Sequence, residues 1–503
     1  MKKGALIALT FLILIVLAGG ALVFYRSVQA PQPVRPGVIA DGEIDPAAWG
    51  KVYPLEYDSW LQTAEPRPAG KSKYKKGWDT DQVIYDKLSE FPYLALLYHG
   101  WGMGVDYNEP RGHAFMLIDQ QEVDQSRTKS GGSCLTCKSP YINKLLAENG
   151  QDFLKLPYAE ALQKIPEGHR TLGAACIDCH DNRTMDLKLP RWTIQDALKT
   201  IGKTNPNRQE MRSLVCAQCH VTYIITRDAQ MKATNVIFPW KGSKWGDISV
   251  ENIIKQIQSD PANLEWTQQV TGFKVGFIRH PEFEFYSRNS VHWQAGVACA
   301  DCHMPYKRVG SSKISDHNVM SPLKNDLQAC RQCHPESSER LREQVLAIQD
   351  RTVALMNRAG YATAAAAKLF ELAHREQAQG AQFDRQLYTQ AKEFYLQALY
   401  RVIYLAAENS MGFHNPTEAG RIAGDAVAFA AKAEGLLRQM LTKAGVEVPA
   451  AVNLELTRYL NNRGEKKLNF IPGQEIHDPT GIQDLFLPPA AKWFPVSFPG
   501  ENK

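Results

Sequence analysis

The stretch GGSCLTCKSP, residues 131–140, contains two cysteines three positions apart, and Lys138 follows the second one. Four other stretches share this spacing but have histidine in the next position: CIDCH (176–180), CAQCH (216–220), CADCH (299–303) and CRQCH (330–334). These five pairs contain all ten cysteines of the 503-residue chain, which leaves none for a scattered disulfide framework. The five motifs, and the single lysine among them, therefore decide how the chain is interpreted.

The CxxCH pattern is typical of covalently bound haem c. Both thiols add to one haem as thioethers, and the histidine that follows reaches the iron. Zinc sites and redox dithiols also use CxxC pairs, but neither requires histidine in the next position. We therefore predict five haem c groups, the first of them on the lysine motif. The predicted attachment residues are Cys134, Cys137, Cys176, Cys179, Cys216, Cys219, Cys299, Cys302, Cys330 and Cys333.

Iron coordination separates Lys138 from the other four motifs. The proximal ligands that these motifs predict are His180, His220, His303 and His334, which leaves nine of the 13 histidines for four distal positions. An iron with histidine on both faces transfers electrons and does little else. An amine binds iron only as the neutral base, so Lys138 marks a different centre. The alternative is a surface lysine beside a haem with another ligand. We expect the Lys138 iron to keep one face open for a substrate.

The chain begins with a basic and then apolar segment, MKKGALIALTFLILIVLAGGALVFYRSVQA, residues 1–30. Two lysines precede an apolar run from Ala5 to Phe24, which is the pattern of an export signal. The run is also long enough to span a bilayer, so a cleaved signal peptide and a retained membrane anchor are both open. Either predicts a periplasmic protein, tethered to the inner membrane in the second case. The net charge of +5 gives no indication of nucleic-acid binding.

The remaining sequence divides into three regions. Residues 31–75 are rich in proline and glycine, which predicts a linker and surface segment. Residues 76–335 carry the motifs in turn-rich sequence with little strand-like alternation, which predicts an irregular pentahaem catalytic region. Short helices are expected there at 81–89, 141–148 and 192–201.

Residues 336–503 differ from the preceding region in their hydrophobic pattern. Three long, proline-free segments place apolar residues at helical spacing, which predicts a bundle of long helices. Ser337 and Ser338 are N-cap candidates for the first helix, and Gly380 is its predicted end. Surplus apolar faces make the bundle a candidate dimer interface. The predicted fold class is mainly α, with little sheet and with the haems packed in the irregular part.

Five attachment motifs with lysine in the first resemble the ammonia-forming cytochrome c nitrite reductase family, over about residues 90–420. The resemblance implies six-electron reduction of nitrite to ammonium at the lysine-ligated haem, fed by four bis-histidine haems. It also implies that Arg127, Tyr223 and His280 line the open face. A fixed cation suits an anionic substrate, while tyrosine and histidine can supply protons. Hydroxylamine and nitric oxide lie along the same reduction and are alternative substrates.

The resemblance further implies the distal ligands and the partners. Members of the family accept electrons from a quinol-oxidising membrane cytochrome or a soluble multihaem donor, and they form homodimers through the C-terminal helices. Four other histidines, His99, His169, His374 and His477, are expected to be structural or exposed. The implied distal ligands are His113 for the CAQCH haem, His292 for CRQCH, His317 for CIDCH and His414 for CADCH.

One departure from the family concerns calcium. Many members bind this ion beside the active site through a Glu before the tyrosine and a Gln before the histidine. Thr222 and Arg279 occupy those positions here. Threonine is a poor calcium ligand and arginine is none, so calcium is not expected at this place. Arg279 is expected to stand where the ion would be, as in calcium-independent members.

The sequence is also compatible with a function of a different class, electron transfer without catalysis. A multihaem cytochrome whose irons are all six-coordinate would be a non-catalytic electron-transfer conduit. A more remote reading is a multihaem enzyme that acts on sulfur oxyanions or oxidises hydroxylamine. A high-spin haem that binds cyanide or nitrite would favour nitrite reduction, and five low-spin haems would favour the conduit.

Overall fold

The computed structural model describes residue 4 and residues 12–21, 38–67, 73–74, 78–80, 82–461, 463 and 475–481. The rest of the N-terminal segment 1–30, including half of the apolar run from Ala5 to Phe24, lies outside the described residues. No helix in the described part of the chain is long and apolar enough to cross a bilayer. The signal-or-anchor alternative therefore stays a prediction.

Three long helices dominate the C-terminal part: α1 (Ser338–Ala378), α2 (Arg385–Ala407) and α3 (Pro416–Lys443). The Ser337 hydroxyl caps α1 by accepting a hydrogen bond from the backbone N–H of Arg340. This helix ends two residues before Gly380, which adopts the left-handed conformation with φ 106°. The mainly α fold class and the long-helix bundle are confirmed.

A single large apolar core joins this bundle to the motif-bearing region. The Tyr93 ring packs edge-on against Tyr361 of α1, with ring centroids 5.0 Å apart. Gly360 makes this approach possible, because a Cβ there would lie 2.2 Å from the Tyr93 ring. Farther along, Phe285 packs on Tyr404 of α2, with ring centroids 6.0 Å apart. The bundle therefore supports the motif-bearing region directly.

The motif-bearing region consists of short helices and turns. The helices predicted at 141–148 and 192–201 appear at Ile142–Asn149 and Trp192–Thr200. The one predicted at 81–89 was mostly wrong, because the chain is not helical at 82–86 and the helix there spans only Lys87–Glu90. The other α-helices of the described residues, besides one segment at 12–21, are Pro46–Gly50, Pro54–Leu61, Tyr93–Leu97, Gly102–Val105, Met116–Glu122, Tyr158–Gln163, Arg208–Ala217, Val250–Gln258, Glu282–Ser287, Val291–Gln294, Cys299–His303 and Leu456–Asn461. Single 3-10 turns connect many of them.

Strands are confined, in the described part, to three antiparallel hairpins. They pair Ile224–Arg227 with Ala233–Ile237, Trp266–Thr267 with Lys274–Val275, and Tyr306–Val309 with Ser312–Ser315. The first hairpin begins directly after Tyr223, so it fixes the backbone next to a predicted site residue.

The segment at 46–61 differs from the expected linker. Asp45 caps the first of its two helices, and Pro46 and Pro54 stand at their first positions. Proline is favoured there because the N–H it lacks would have no helical partner. Trp49 is buried, so this stretch packs onto the protein instead of forming a loop throughout.

Candidate active site

The cysteine motifs are neighbours in space. The thiol of Cys137 in the first motif is within hydrogen-bonding reach of Cys219 in the third. The thiol of Cys216 is similarly close to Cys299 in the fourth motif. None of the ten cysteines, all of which lie in the described residues, forms a disulfide. Groups attached at these motifs would therefore lie side by side, as electron transfer requires.

A buried ion pair ties the first three motifs together. Arg191 is 1% exposed, and its guanidinium pairs with Asp178 of CIDCH at 2.8 Å. The same guanidinium donates to the carbonyl oxygen of Thr136 in the lysine motif at 2.7 Å. Gln218 of CAQCH donates to the Asp178 carbonyl oxygen at 2.9 Å. Arg191 was not singled out from the sequence, because its partners are 13 and 55 residues away.

Each predicted distal histidine lies opposite its predicted proximal partner. Metal–imidazole bonds of about 2.0–2.1 Å on opposite sides of one ion place the two ring centres about 6 Å apart. The ring centroids are separated by 6.2 Å for His113–His220, 6.1 Å for His180–His317, 6.2 Å for His303–His414 and 6.3 Å for His292–His334. The structure thus brings together all four pairs that the resemblance implied. Spacing alone does not identify ligands, since His280 also lies 6.2 Å from His220.

Hydrogen bonds at Nδ1 fit haem ligation as well. An acceptor at Nδ1 holds the proton on that nitrogen and leaves the Nε2 lone pair free for a metal. Four of the eight predicted axial histidines have such an acceptor. The Nδ1 contacts are His180 to Met185 O, His303 to Met320 O and His317 to Ser315 O, each at 2.9 Å, and His414 to Glu408 Oε1 at 2.7 Å.

Lys138 lies beside the His113–His220 pair. Burial lowers the pKa of both imidazoles to about 4, and the nearby Lys138 charge adds to the shift. Neutral imidazole is the form that binds a metal. The lysine motif is thus close to the third motif at Lys138 as well as at Cys137.

Arg127 is a cation in a low-polarity environment. Its Nη1 donates to the Asp106 carbonyl oxygen at 3.1 Å. Its Nε is buried and has no hydrogen-bond acceptor among the described residues. Burial lowers the pKa of Arg127, yet a guanidinium stays protonated in proteins. An unsatisfied donor on a buried cation is a ready binding group for an anion.

Tyr223 and Arg279 lie face to face. The guanidinium carbon of Arg279 is 5.2 Å from the Tyr223 ring centroid. Arg279 is buried and pairs with Glu265, with Nη1–Oε1 at 3.0 Å. Its backbone N–H donates to the Thr222 hydroxyl at 3.1 Å, so the two residues at the family's calcium positions bond to each other. Burial raises the pKa of Tyr223, which keeps its hydroxyl a proton donor.

His280 adopts a backbone conformation that L-residues rarely use, with φ 47°. Its Nδ1 is 3.8 Å from Glu282 Oε1, and the other oxygen of Glu282 is 3.9 Å from His220 Nδ1. These distances are too long for hydrogen bonds, and His280 Nδ1 is buried without an acceptor in the described part of the chain. Asn409 donates to Glu282 and holds the carboxylate in place.

The Cytochrome c552 family matches residues 45–484, which is most of the chain. The chain belongs to this family. The resemblance inferred from the CxxCK and CxxCH motifs is thereby confirmed, and covalently bound haem c follows from membership of the cytochrome c552 family.

Curated relatives support the same family assignment. A cytochrome c-552 from Parabacteroides distasonis is 32% identical over 406 residues, 78% of this chain and 76% of that protein. The cytochrome c nitrite reductase subunit NrfA of Nitratidesulfovibrio vulgaris is 31% identical over 419 residues, 78% of each chain. A solved catalytic subunit (NrfA) of cytochrome c nitrite reductase from Desulfovibrio desulfuricans, described with two calcium sites, superposes with a TM-score of 0.73 at 27% identity. That superposition covers 88% of this chain and 100% of the other.

Several residues of this cytochrome c552 site were not predicted from the sequence. Glu265 and Glu282 contact Arg279 and His280, and Glu284 accepts from the Thr222 N–H at 3.0 Å. Burial raises the pKa of Glu284 to about 8. The pattern HPEFE placed two of these acids next to His280, which was the available signal.

The four histidines without an assigned role lie as expected. His99 packs against Tyr459, His169 bonds to Tyr141 and His374 to Tyr388, while His477 is exposed.

Proposed function

We propose that this chain reduces nitrite to ammonium at a haem held by Cys134, Cys137 and Lys138. Its family and its structural likeness to a nitrite reductase catalytic subunit make it an oxidoreductase and favour this reaction over a non-catalytic conduit. The observation that carries the proposal is an asymmetry. Four motifs have a second histidine opposite the first, whereas Arg127 and Tyr223 lie near the cysteines of the lysine motif. The Nε of Arg127 and the Nδ1 of His280 are buried without a hydrogen-bond partner in the described part of the chain.

The residues divide the work as follows. The haem, when bound, supplies the iron that takes the nitrogen oxyanion and the electrons that reduce it. Arg127 binds and orients the anion with a fixed charge that cannot be lost at neutral pH. Tyr223 and His280 hold protons near the oxygen atoms that leave as water. Conversion of nitrite to ammonium consumes six electrons and eight protons, so a site with several proton carriers is needed.

Four bis-histidine haems complete a proposed set of five. Their attachment motifs touch in the order that a relay needs, with the first motif against the third and the third against the fourth. Cys302 of the fourth motif is close enough to Cys330 of the fifth to affect its ionisation. This succession supports delivery of electrons to the Lys138 haem from the fifth motif through the fourth and the third.

Arg279 is proposed to replace the calcium ion that many relatives bind. Its charge is neutralised by Glu265, and it contacts Tyr223 and Thr222 at the same time. A buried guanidinium can hold Tyr223 in place as a divalent ion would, through a fixed positive charge. Metal analysis of the pure protein is expected to find no calcium at this place, and one tightly bound ion coordinated there would refute the substitution.

We also infer the setting in which the enzyme works. A periplasmic location, with or without an N-terminal tether, follows from the leader and from haem c attachment outside the cytoplasm. A quinol-oxidising membrane cytochrome or a soluble multihaem protein is the proposed donor. The helices α1, α2 and α3 are the proposed homodimer interface.

The test of function is steady-state consumption of nitrite with a reduced viologen dye, with ammonium counted as the product. Stoichiometric ammonium supports the proposal. Haem-replete protein that oxidises the dye only in the presence of another protein acceptor, and leaves nitrite unchanged, would identify a conduit instead. Hydroxylamine and nitric oxide are assayed in parallel, because their relative rates decide the preferred substrate.

A further inference from the structure

One predicted axial histidine has a different hydrogen-bond partner from the others. Where the described residues supply an Nδ1 acceptor, it is a neutral backbone carbonyl for His180, His303 and His317. For His414 it is the carboxylate of Glu408, at 2.7 Å. This contact is the shortest of the four and involves the only charged acceptor among them.

The surrounding loop is built to hold that carboxylate as an anion. Glu408 is 1% exposed and directly follows α2. Its Oε1 accepts from the Ser410 N–H at 3.0 Å, and its Oε2 accepts from the Ser410 hydroxyl at 2.8 Å and the Gly412 N–H at 3.2 Å. The same Ser410 hydroxyl accepts the His414 N–H at 2.8 Å, which closes the loop on itself.

Positive φ values at Met411 and Gly412, 52° and 84°, allow this tight turn. A Cβ on Gly412 would lie 2.2 Å from the Thr352 hydroxyl of α1, so only glycine fits. No lysine or arginine of the described residues forms an ion pair with Glu408, whose ion-pair partner is His414. The charge of Glu408 therefore acts on the His414 imidazole and is not neutralised by a lysine or arginine of the described residues.

A carboxylate that accepts the Nδ1 proton makes an imidazole a stronger donor to its metal. A stronger donor stabilises ferric iron more than ferrous iron, because the ferric ion carries the greater charge. Hydrogen bonding behind an axial ligand is one of the means by which a protein sets a haem potential. The neutral carbonyls behind His180, His303 and His317 exert the same influence more weakly.

We propose that Glu408 lowers the reduction potential of the haem held by Cys299, Cys302, His303 and His414. This inference rests on the proposed ligation by His414. The motif of that haem lies between the third and fifth motifs, through Cys299 near Cys216 and Cys302 near Cys330. An electron that reaches this haem is passed on, in a one-electron step, instead of accumulating there. Glu408 thus keeps an electron from resting on this haem and favours its transfer to a neighbouring haem of higher potential.

The test is a spectroelectrochemical titration of the haem-replete Glu408→Gln variant, followed by optical spectroscopy and by electron paramagnetic resonance of the low-spin ferric signals. Glutamine keeps the shape and an acceptor oxygen but removes the charge. We expect one midpoint to rise by about 59 mV, which is a tenfold change in the ratio of reduced to oxidised haem for one electron. The other midpoints are expected to stay in place.

Glu418→Gln is the matched control. It removes the same charge from a buried glutamate four residues from His414, but Glu418 pairs with Arg288 and Arg421 and not with the imidazole. An unchanged set of midpoints in Glu408→Gln, or an equal shift in both variants, would overturn the proposal. If Glu408→Gln does not accumulate with all haems, Glu408→Asp is expected to raise the same midpoint by less. An unchanged or lower midpoint in that variant also overturns the proposal.

His414→Ala separates this inference from the assignment on which it rests. Loss of one low-spin signal and appearance of a high-spin one is the expected result, and it establishes ligation. Unchanged low-spin signals would refute the ligation itself. Ligation by His414 together with unaltered midpoints in Glu408→Gln would refute only the tuning by Glu408.

Discussion

The Lys138 site and the His303–His414 pair differ in how their polar groups are satisfied. Around His303 and His414, both Nδ1 atoms have close acceptors and the two rings face each other at 6.2 Å. Among the residues expected at the open face of the Lys138 haem, the Nε of Arg127 and the Nδ1 of His280 are buried and unsatisfied in the described part of the chain. A relay centre gains from a closed, fully bonded shell that does not rearrange. A catalytic centre needs groups whose partner is the substrate.

Replacement of His280 tests the open side of this comparison with the largest expected effect. His280→Gln is expected to lower kcat for nitrite by about 10²–10⁴-fold, because a positioned proton donor contributes that much. Haem content and the low-spin signals are expected to stay unchanged. His374→Gln is the control, since that histidine bonds to Tyr388 in the bundle. Equal losses in both variants would show that the effect is not specific to the site.

Replacement of Arg127 tests the anion site. Arg127→Gln is expected to lower kcat/KM for nitrite by about 10²–10³-fold, as for the loss of one preorganised charge-stabilising donor. Neutral nitric oxide is expected to be less affected than nitrite, because it has no charge for the guanidinium to hold. The assay compares both substrates with reduced dye. An identical loss for the two would contradict an anion-binding role. Arg183→Gln, which removes an exposed ion pair with Asp41, is the control.

Replacement of Lys138 by histidine gives the first motif the same CxxCH pattern as the other four. Lys138→His is expected to retain haem, detected by haem staining, while nitrite turnover falls by about 10–100-fold, the range for changed metal surroundings. Unchanged turnover would mean that the amine is not what distinguishes this centre.

The buried pair of Arg279 and Glu265 is tested through the free energy of unfolding. Arg279→Gln leaves Glu265 buried without its cation, which is expected to lower the free energy of unfolding by about 3–5 kcal/mol. The double variant with Glu265→Gln is expected to recover much of this loss, because no unpaired charge remains. Chemical denaturation followed by circular dichroism measures both. A double variant no more stable than Arg279→Gln alone would contradict the account of this pair.

Replacement of Glu284 is expected to have the smallest effect, which is on the pH dependence of the free energy of unfolding. Burial raises the pKa of its carboxyl from 4.5 to about 8, so the folded protein keeps a proton that the unfolded chain loses above pH 4.5. Its contribution to stability is full below pH 4.5 and is lost as the pH rises toward 8, with a slope of at most about 1.4 kcal/mol per pH unit. Glu284→Gln is expected to flatten that part of the stability curve. Parallel curves for the variant and the original protein would contradict a raised pKa.

The sequence predicted what depends on local pattern. The CxxCH and CxxCK spacings identified the haem motifs, and helical periodicity with the Ser337 cap located α1 within a residue of its start. Residues 31–75 were interpreted as a linker and surface segment, although Pro46 and Pro54 within them stand at helix starts. Composition does not distinguish these two uses of proline, whereas the Asp45 cap does.

Partners from distant parts of the chain were not predictable in the same way. Glu265 lies 14 residues from Arg279, and Arg191 lies 55 residues from the Thr136 carbonyl that it reaches. Buried acids such as Glu282 look like surface residues in a single sequence, because charged side chains are usually exposed. Their roles follow from three-dimensional packing alone.

The central claim is most directly tested by electron paramagnetic resonance of the resting, haem-replete protein, before and after nitrite or cyanide is added. We predict one high-spin ferric signal, from the haem on Cys134 and Cys137, that becomes low-spin on ligand addition, while four low-spin signals stay unchanged. Five low-spin haems that no added ligand perturbs, in oxidised and reduced protein alike, would contradict the account.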